Sequence, residues 1–477
     1  MRALHRTPVP SRYSVLRDAV HGDIYLTEEE LRILDTPQMQ RLRGVRQLGT
    51  AYLVYPSAQH SRFEHSIGVA DMARRMIEAI HRNAEAEPAT LLGIPEREAR
   101  VIRMAALLHD CTHIPFGHGI EDQTGLFPRH DCAYRYEERF AQRHELGRVL
   151  AELGVLQEVK SVLLSAHDGG PRPAEAPTVP PYWCQILSDT IDADIFDYLK
   201  RDALFTGLHL YYDPRVISYF KVDRRSGHLF VDLSKHGMLR EDILSEIVRV
   251  LEARYYFSER VYYHHAKVAA MALVAKAVEL AVGSGALKEE HFYDATDATL
   301  LDALESAPVA DPAVRARVRG LVARFRSRRL LKRACVFPLA QNRAVADELV
   351  RKYFAPGCLQ ARVALEQRIA KTVEMATGRR DLEIVFYCPR RSMQLKEAHL
   401  HVRWPGVDGV RPLSEFSTHA PRLRDLEESY RNLWKAYVFV SSEEPAVVRK
   451  VREVCALELP GTVNTYLPYG SDGADAI

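Results

Sequence analysis

The sequence predicts a mainly α protein, with a helical first lobe over residues 1–290 and a smaller α/β lobe over residues 291–477. Three observations predict it. Apolar residues recur at helical spacing through most of the first 285 residues. Beyond Gly285, strand-like apolar runs alternate with amphipathic stretches, the pattern of a mixed lobe. The composition, 47% hydrophobic and 27% charged over 477 residues, is that of a globular chain of about two or three domains.

In the first lobe, Val69, Met72, Ala73, Met76, Ile77 and Ile80 form the apolar face of a helix that His65 opens. Val101, Met104, Ala105 and Leu108 form a second face, on a helix that should stop before Pro115. Ile191, Ile195 and Leu199 mark a third, and Glu241 to Leu280 reads as two long helices. Gly169–Pro181 is too rich in Gly and Pro for a helix and is expected as a surface loop. A hairpin is predicted over Tyr219–Leu233, turning at Arg225-Ser226-Gly227. In the second lobe, Arg315–Arg333 holds nine Arg or Lys and no acid, and reads as a basic helix. Strand-like runs follow at Leu382–Tyr387, His399–Trp404 and Ala436–Val440, with helices near Leu423–Leu433 and from Pro445.

Composition excludes several classes. Lys plus Arg number 65 against 63 Asp plus Glu, so any anion site must be local and not a basic coat for nucleic acid. Met1–Val15 is too polar for a signal peptide's core. The best candidate membrane segment, Ala266–Gly285, carries Lys267, Lys276 and Glu279, so it is a soluble helix and no membrane partner is expected. Seven cysteines without a Cys-x-x-Cys pair exclude a zinc ribbon and a disulfide scaffold, and point to a reducing, cytoplasmic setting. There is no glycine-rich phosphate loop of the ATPase kind.

The densest chemistry lies between Arg62 and Asp202. His109-Asp110 ends an apolar helix, His113 lies one turn on, His118 follows Pro115, and His130-Asp131 lies in the next polar segment. Asp194, Tyr198 and Asp202 are spaced i, i+4 and i+8 and share one helix face. A single His at a helix end is ordinarily a capping or surface residue. Several His and Asp at the ends of neighbouring apolar helices are different, because burying them without compensation is costly. Imidazoles and carboxylates suit a divalent transition metal with open positions for water and substrate oxygen.

Three stretches carry a family resemblance: Arg62-Phe63-Glu64-His65-Ser66-Ile67-Gly68-Val69, then His109-Asp110, then Asp192-Ala193-Asp194 with Asp197-Tyr198 and Arg201-Asp202. They resemble the HD-domain phosphohydrolases, which implies a helical HD-domain core. Within that superfamily the chain is most similar to the deoxynucleoside triphosphate (dNTP) triphosphohydrolases, including tetrameric, nucleotide-activated enzymes whose animal members carry an additional SAM domain. The similarity begins at Asp18-Ala19-Val20-His21-Gly22, runs through Asp35–Arg43 and on to Asp202, and thins out to about Lys332.

The resemblance implies that His65, His109, Asp110 and Asp194 hold one divalent metal ion, whether Fe, Mn, Zn, Mg or Co. It implies that Arg62 contacts phosphate and that His113, His118 and His130 line the phosphates, with Asp131 orienting His130. His118 and His130 are expected nearest the proton transfer. Gln47 and Asp202 match residues that hold the sugar 3′-hydroxyl, Tyr198 a ring beneath the sugar, and Leu48 a neighbour of the base. A dNTP substrate, cut at the α-phosphorus to deoxynucleoside and inorganic triphosphate, is the implied reaction. Ile195 departs from the pattern, standing where the animal enzymes have a phosphate-binding lysine, with Arg254 or Arg260 as replacements. Tyr262 and Tyr263 are the candidates for a base-stacking tyrosine.

Regulation is implied as well. Asp35, Gln40 and Arg43 match a guanine-reading pocket for GTP or dGTP, and Lys267, Arg328 and Lys332 match phosphate-binding positions of the same activator site. A dimer or tetramer is expected. The competing reading of the same chemistry is a phosphodiesterase or nuclease guided along single-stranded nucleic acid by Arg315–Arg333.

Overall fold

The computed structural model describes residues 13–165, 179–389 and 400–467. The loop expected at Gly169–Pro181 lies outside the described residues except for its last three positions.

The helical lobe is built around three expected helices. Ser61 and Glu64 form a capping box that starts the helix Arg62–Ala86. This helix packs on Glu96–Leu108, which ends at His109 as the approaching Pro115 requires, and on Ala193–Thr206. Gly68 makes the second contact close: a Cβ there would fall 1.8 Å from Asp197 Oδ1. An antiparallel hairpin, Tyr13–Asp18 with Gly22–Thr27, which the apolar pattern does not announce, lies against the same helix.

The two long helices expected after Glu241 are Glu241–Phe257 and His265–Gly283, joined by a π-helical turn over Ser258–Tyr262. The second is buried on nearly every face, which accounts for its span-like composition. Among the described residues no helix is long and apolar enough to cross a membrane.

The hairpin expected at Tyr219–Leu233 is present as Phe220–Val222 paired with Leu229–Asp232. It belongs to a four-stranded sheet completed by His401–Arg403, parallel to Leu229–Asp232, and by Arg411–Pro412. A three-stranded sheet orders Lys332–Pro338, Lys435–Val440 and Ile384–Tyr387, and the helices Leu359–Thr377 and Pro445–Glu458 pack together beside it.

Two expectations change here. The hydrophobic cores do not divide at residue 290, because Leu400, Val402, Leu413, Leu423 and Tyr430 join the core of the helical lobe. Arg315–Arg333 is not one helix either. The helix runs Pro312–Arg326, Arg328 sits at φ +56°, and Lys332 opens a strand. A left-handed residue ends a helix whatever the charge of its neighbours.

Candidate active site

His65 and His109 meet from the first two helices. His65 Nδ1 lies 2.7 Å from Asp197 Oδ2, and His109 Nδ1 lies 2.8 Å from the Ala106 carbonyl. Those acceptors make Nδ1 the donor in each ring and leave both Nε2 lone pairs free. The two Nε2 atoms are 3.2 Å apart. Asp194 Oδ1 is 2.9 Å from the first and 3.8 Å from the second. Asp110 carboxylate oxygens are 3.7 and 3.6 Å from them. Facing lone pairs beside two carboxylates repel unless positive charge lies between them, so the donor set fits a divalent cation. Arg62 backs the set by bonding Asp110 Oδ2.

His113, His118 and His130 form a second group, with potential ligand atoms within 4.8 Å of one another. Their ring geometry argues against an ion. His113 and His130 stack with centroids 3.6 Å apart and planes 17° apart. A metal bonds imidazole along a lone pair in the ring plane, and nearly parallel planes that far apart offer no shared point. The trio is better suited to phosphate oxygens and protons. Burial, then the charges of Arg62 and His130, hold His113 well below the usual imidazole range. Burial and His130 bring His118 down to about 3. His118 is open to water on one side, which weakens the shift without reversing it.

The carboxylate at His130 Nδ1 is Glu121, at 2.9 Å, where the sequence suggested Asp131. Burial works to raise Glu121, yet His130 outweighs it and brings the carboxyl down to about 2. Asp131 instead takes a forked pair of bonds from Arg129, with N–O distances of 2.8 to 3.1 Å. The helix His118–Thr124 brings Glu121 back to the His130 ring.

Both groups open into one cavity of about 540 Å³, whose wall also includes Arg62, Gln47, Leu48, Tyr198 and Asp202. Gln47 Oε1 is buried there without a hydrogen-bond partner. Asp202 accepts from Tyr262 at 2.6 Å and faces His60 Nε2 at 2.9 Å. Arg254, Tyr262 and Tyr263 line the cavity as well, but Arg260 does not and stacks on Tyr256. Ile195 points into the core, 2% exposed. Lys267, expected at the phosphates of an activator, lines this cavity as well.

Comparison with known families agrees with this geometry. An HD-domain model matches residues 62–202, and a model of the HD-associated region matches residues 236–465. The chain is an HD-domain protein. Human deoxynucleoside triphosphate triphosphohydrolase SAMHD1 is 31% identical over 231 residues, covering 44% of this chain and 36% of that protein. Its homolog in Dictyostelium discoideum is 33% identical over 218 residues, 44% of this chain and 40% of the homolog. Uncharacterized protein MJ1154 of Methanocaldococcus jannaschii is 32% identical over 266 residues, 55% of this chain and 49% of that protein. The chain thus spans about half or less of the length of these relatives.

Outside the HD-domain cavity, Gln40 and Arg43 bond to each other. Arg43 Nε donates to Gln40 Oε1 at 2.9 Å, and its guanidinium lies 3.7 Å over Phe63, the neighbour of Arg62. Asp35 caps the preceding helix, Glu28–Leu34, and is exposed. Arg328 donates to the Leu53 carbonyl, and Lys332 pairs with Glu443, so the two do not share a helix face. Sequence reasoning missed three supporting residues of the HD domain: Glu121, Asp197 and His60. Only Asp197 had a usable signal, four residues before Arg201 on an apolar helix, where a buried carboxylate needs a cation.

Proposed function

We propose that this chain is a metal-dependent phosphohydrolase that cleaves dNTPs into deoxynucleoside and inorganic triphosphate. One observation carries it: a two-His, two-Asp donor set and the Arg62–His113–His118–His130 wall share one cavity with a tyrosine–aspartate edge of sugar size. A divalent ion held by His65, His109, Asp110 and Asp194 would polarise a phosphoryl oxygen and activate water. The rest belongs to the chain. Arg62 and the neutral His118 donate to phosphate oxygens, and His113, whose Nε2 lies 3.2 Å from Asp110 Oδ1, lines the same wall. His130, anchored by Glu121, moves the proton that the departing 5′-oxygen of the sugar requires. Asp202 and Gln47 take the 3′-hydroxyl, and Tyr198 fills the space a 2′-hydroxyl would need.

Activation by GTP or dGTP at Asp35, Gln40 and Arg43, within a homo-oligomer, forms part of this proposal. The nuclease reading loses support from the basic segment, since Arg317, Arg326 and Lys332 are engaged with Glu383, Asp302 and Glu443. The deciding experiment is chromatography of products from each dNTP, with and without GTP, across Mn, Fe, Mg and Co, beside a labelled oligonucleotide. Deoxynucleoside plus triphosphate is the expected result. Monophosphate plus pyrophosphate, or cleavage of the oligonucleotide alone, would overturn it.

A further inference from the structure

Lys267 stands in the first turn of a helix whose other residues are almost all apolar. Its carbonyl accepts from Thr50 Oγ1 at 2.9 Å, which fixes it beside the segment that carries Gln47 and Leu48. Its ammonium spends one proton on the Tyr262 carbonyl at 3.2 Å. Among the described residues it forms no ion pair. Of the guanidinium groups on the same wall, Arg62 is bonded to Asp110 and Arg129 to Asp131, while Arg254 lies 6.0 Å from the centre of the Tyr430 ring. Lys267 is therefore a cation on the wall of an anion-binding cavity whose charge the chain does not cancel.

That situation is costly without an anionic ligand, because one carbonyl and the face of the Tyr262 ring, 5.8 Å away, replace the lost hydration only in part. The strain registers in its acidity: burial first, with Arg62 adding and Asp202 opposing, brings Lys267 down to about 8. It remains largely protonated at neutral pH. Meanwhile the position after Asp194 supplies no cation, since Ile195 is buried in the core.

We propose that Lys267 is a substrate-binding residue of the active site, gripping non-bridging oxygens of the polyphosphate, and not a member of a regulatory pocket. This rests on the phosphohydrolase reading above, but its test does not need turnover. The probe is inorganic tripolyphosphate, titrated calorimetrically into the metal-loaded full chain. Replacing Lys267 by Met keeps the reach of the side chain and removes its charge. One charge-assisted hydrogen bond predicts affinity weaker by roughly 10- to 100-fold. Lys267→Arg should recover most of the loss. Thermal melting is followed for each variant, and Lys267→Gln, which keeps a donor for the Tyr262 carbonyl, is measured in place of Lys267→Met if the latter melts early. Lys267-dependent binding in a chain that leaves every dNTP intact would support this inference while defeating the proposed reaction. Unchanged tripolyphosphate affinity in the neutral variant overturns it, as does a defect confined to oligomer mass or to the response to GTP. A wild-type chain that does not bind tripolyphosphate overturns it too.

Discussion

Glu121 is fully buried, and its ionised carboxylate sits against His130 at the edge of the cavity. Glu121→Gln keeps the shape and removes the charge that fixes the ring. We expect kcat to fall about 10²-fold, with KM and bound metal little changed, because only the proton transfer is affected. Steady-state kinetics with metal analysis of the same sample checks this. Tyr198 acts by bulk, so Tyr198→Ala should raise the ratio of kcat/KM for ribonucleotides over deoxynucleotides by about tenfold or more. An unchanged ratio would remove the steric account. The candidate ligands His65, His109, Asp110 and Asp194 could be named because they sit in the motifs that carry the family resemblance. Glu121 was not legible, since its partner lies nine residues on and Asp131 was the nearer acid. The place of Lys267 in the cavity wall was not legible either, because no spacing rule tells which way the first turn of the helix His265–Gly283 faces.

The contact between the helices Arg62–Ala86 and Ala193–Thr206 is the element on which the metal site depends. Gly68 leaves room for Asp197, which accepts from Arg201 and holds His65. Gly68→Ala would push Asp197 away from the ring. We expect about 1–3 kcal/mol of lost stability and metal affinity reduced by about 10- to 100-fold, read by melting and metal titration. The same contact should govern acid behaviour. Burial works to raise Asp18 and Asp197, but Arg201 outweighs it, and both lie below the usual carboxylate range. Their contribution is complete above the unfolded value of about 3.9 and is lost as pH falls through the lower folded values. Urea midpoints should therefore drop below about pH 4, and Arg201→Met should flatten that drop. Asp18 and His21 explain their motif in these terms: the first pairs with Arg201 and the second lies 2.7 Å from Asp197. The long helices of this lobe were legible from periodicity alone, whereas the short N-terminal hairpin, with one strand largely exposed, left no comparable pattern.

For the whole molecule, the open question is assembly. A nucleotide that bridges subunits binds the oligomer and not the lone chain, so it must favour the oligomer by mass action. GTP or dGTP is expected to raise both mass and dNTPase rate, and Arg43→Ala to lose both responses while keeping its metal. Light scattering beside the activity assay decides; equal size and rate without nucleotide would leave Asp35–Arg43 a packing element only. The division of the chain was the least legible feature, because pairing of His401–Arg403 with Leu229–Asp232 spans about 170 residues that local patterns do not connect. That pairing reaches into biosynthesis. Tyr430 lines the reaction cavity, and the Leu229–Asp232 strand keeps an open edge until residue 401 arrives. At ribosomal rates of about 5–20 residues per second, roughly 7–28 s separate the emergence of residue 290 from that of Tyr430. A nascent chain in that interval has His65, His109, Asp110 and Asp194 but an unfinished cavity, so under the proposed function hydrolysis waits for the stretch that carries Tyr430.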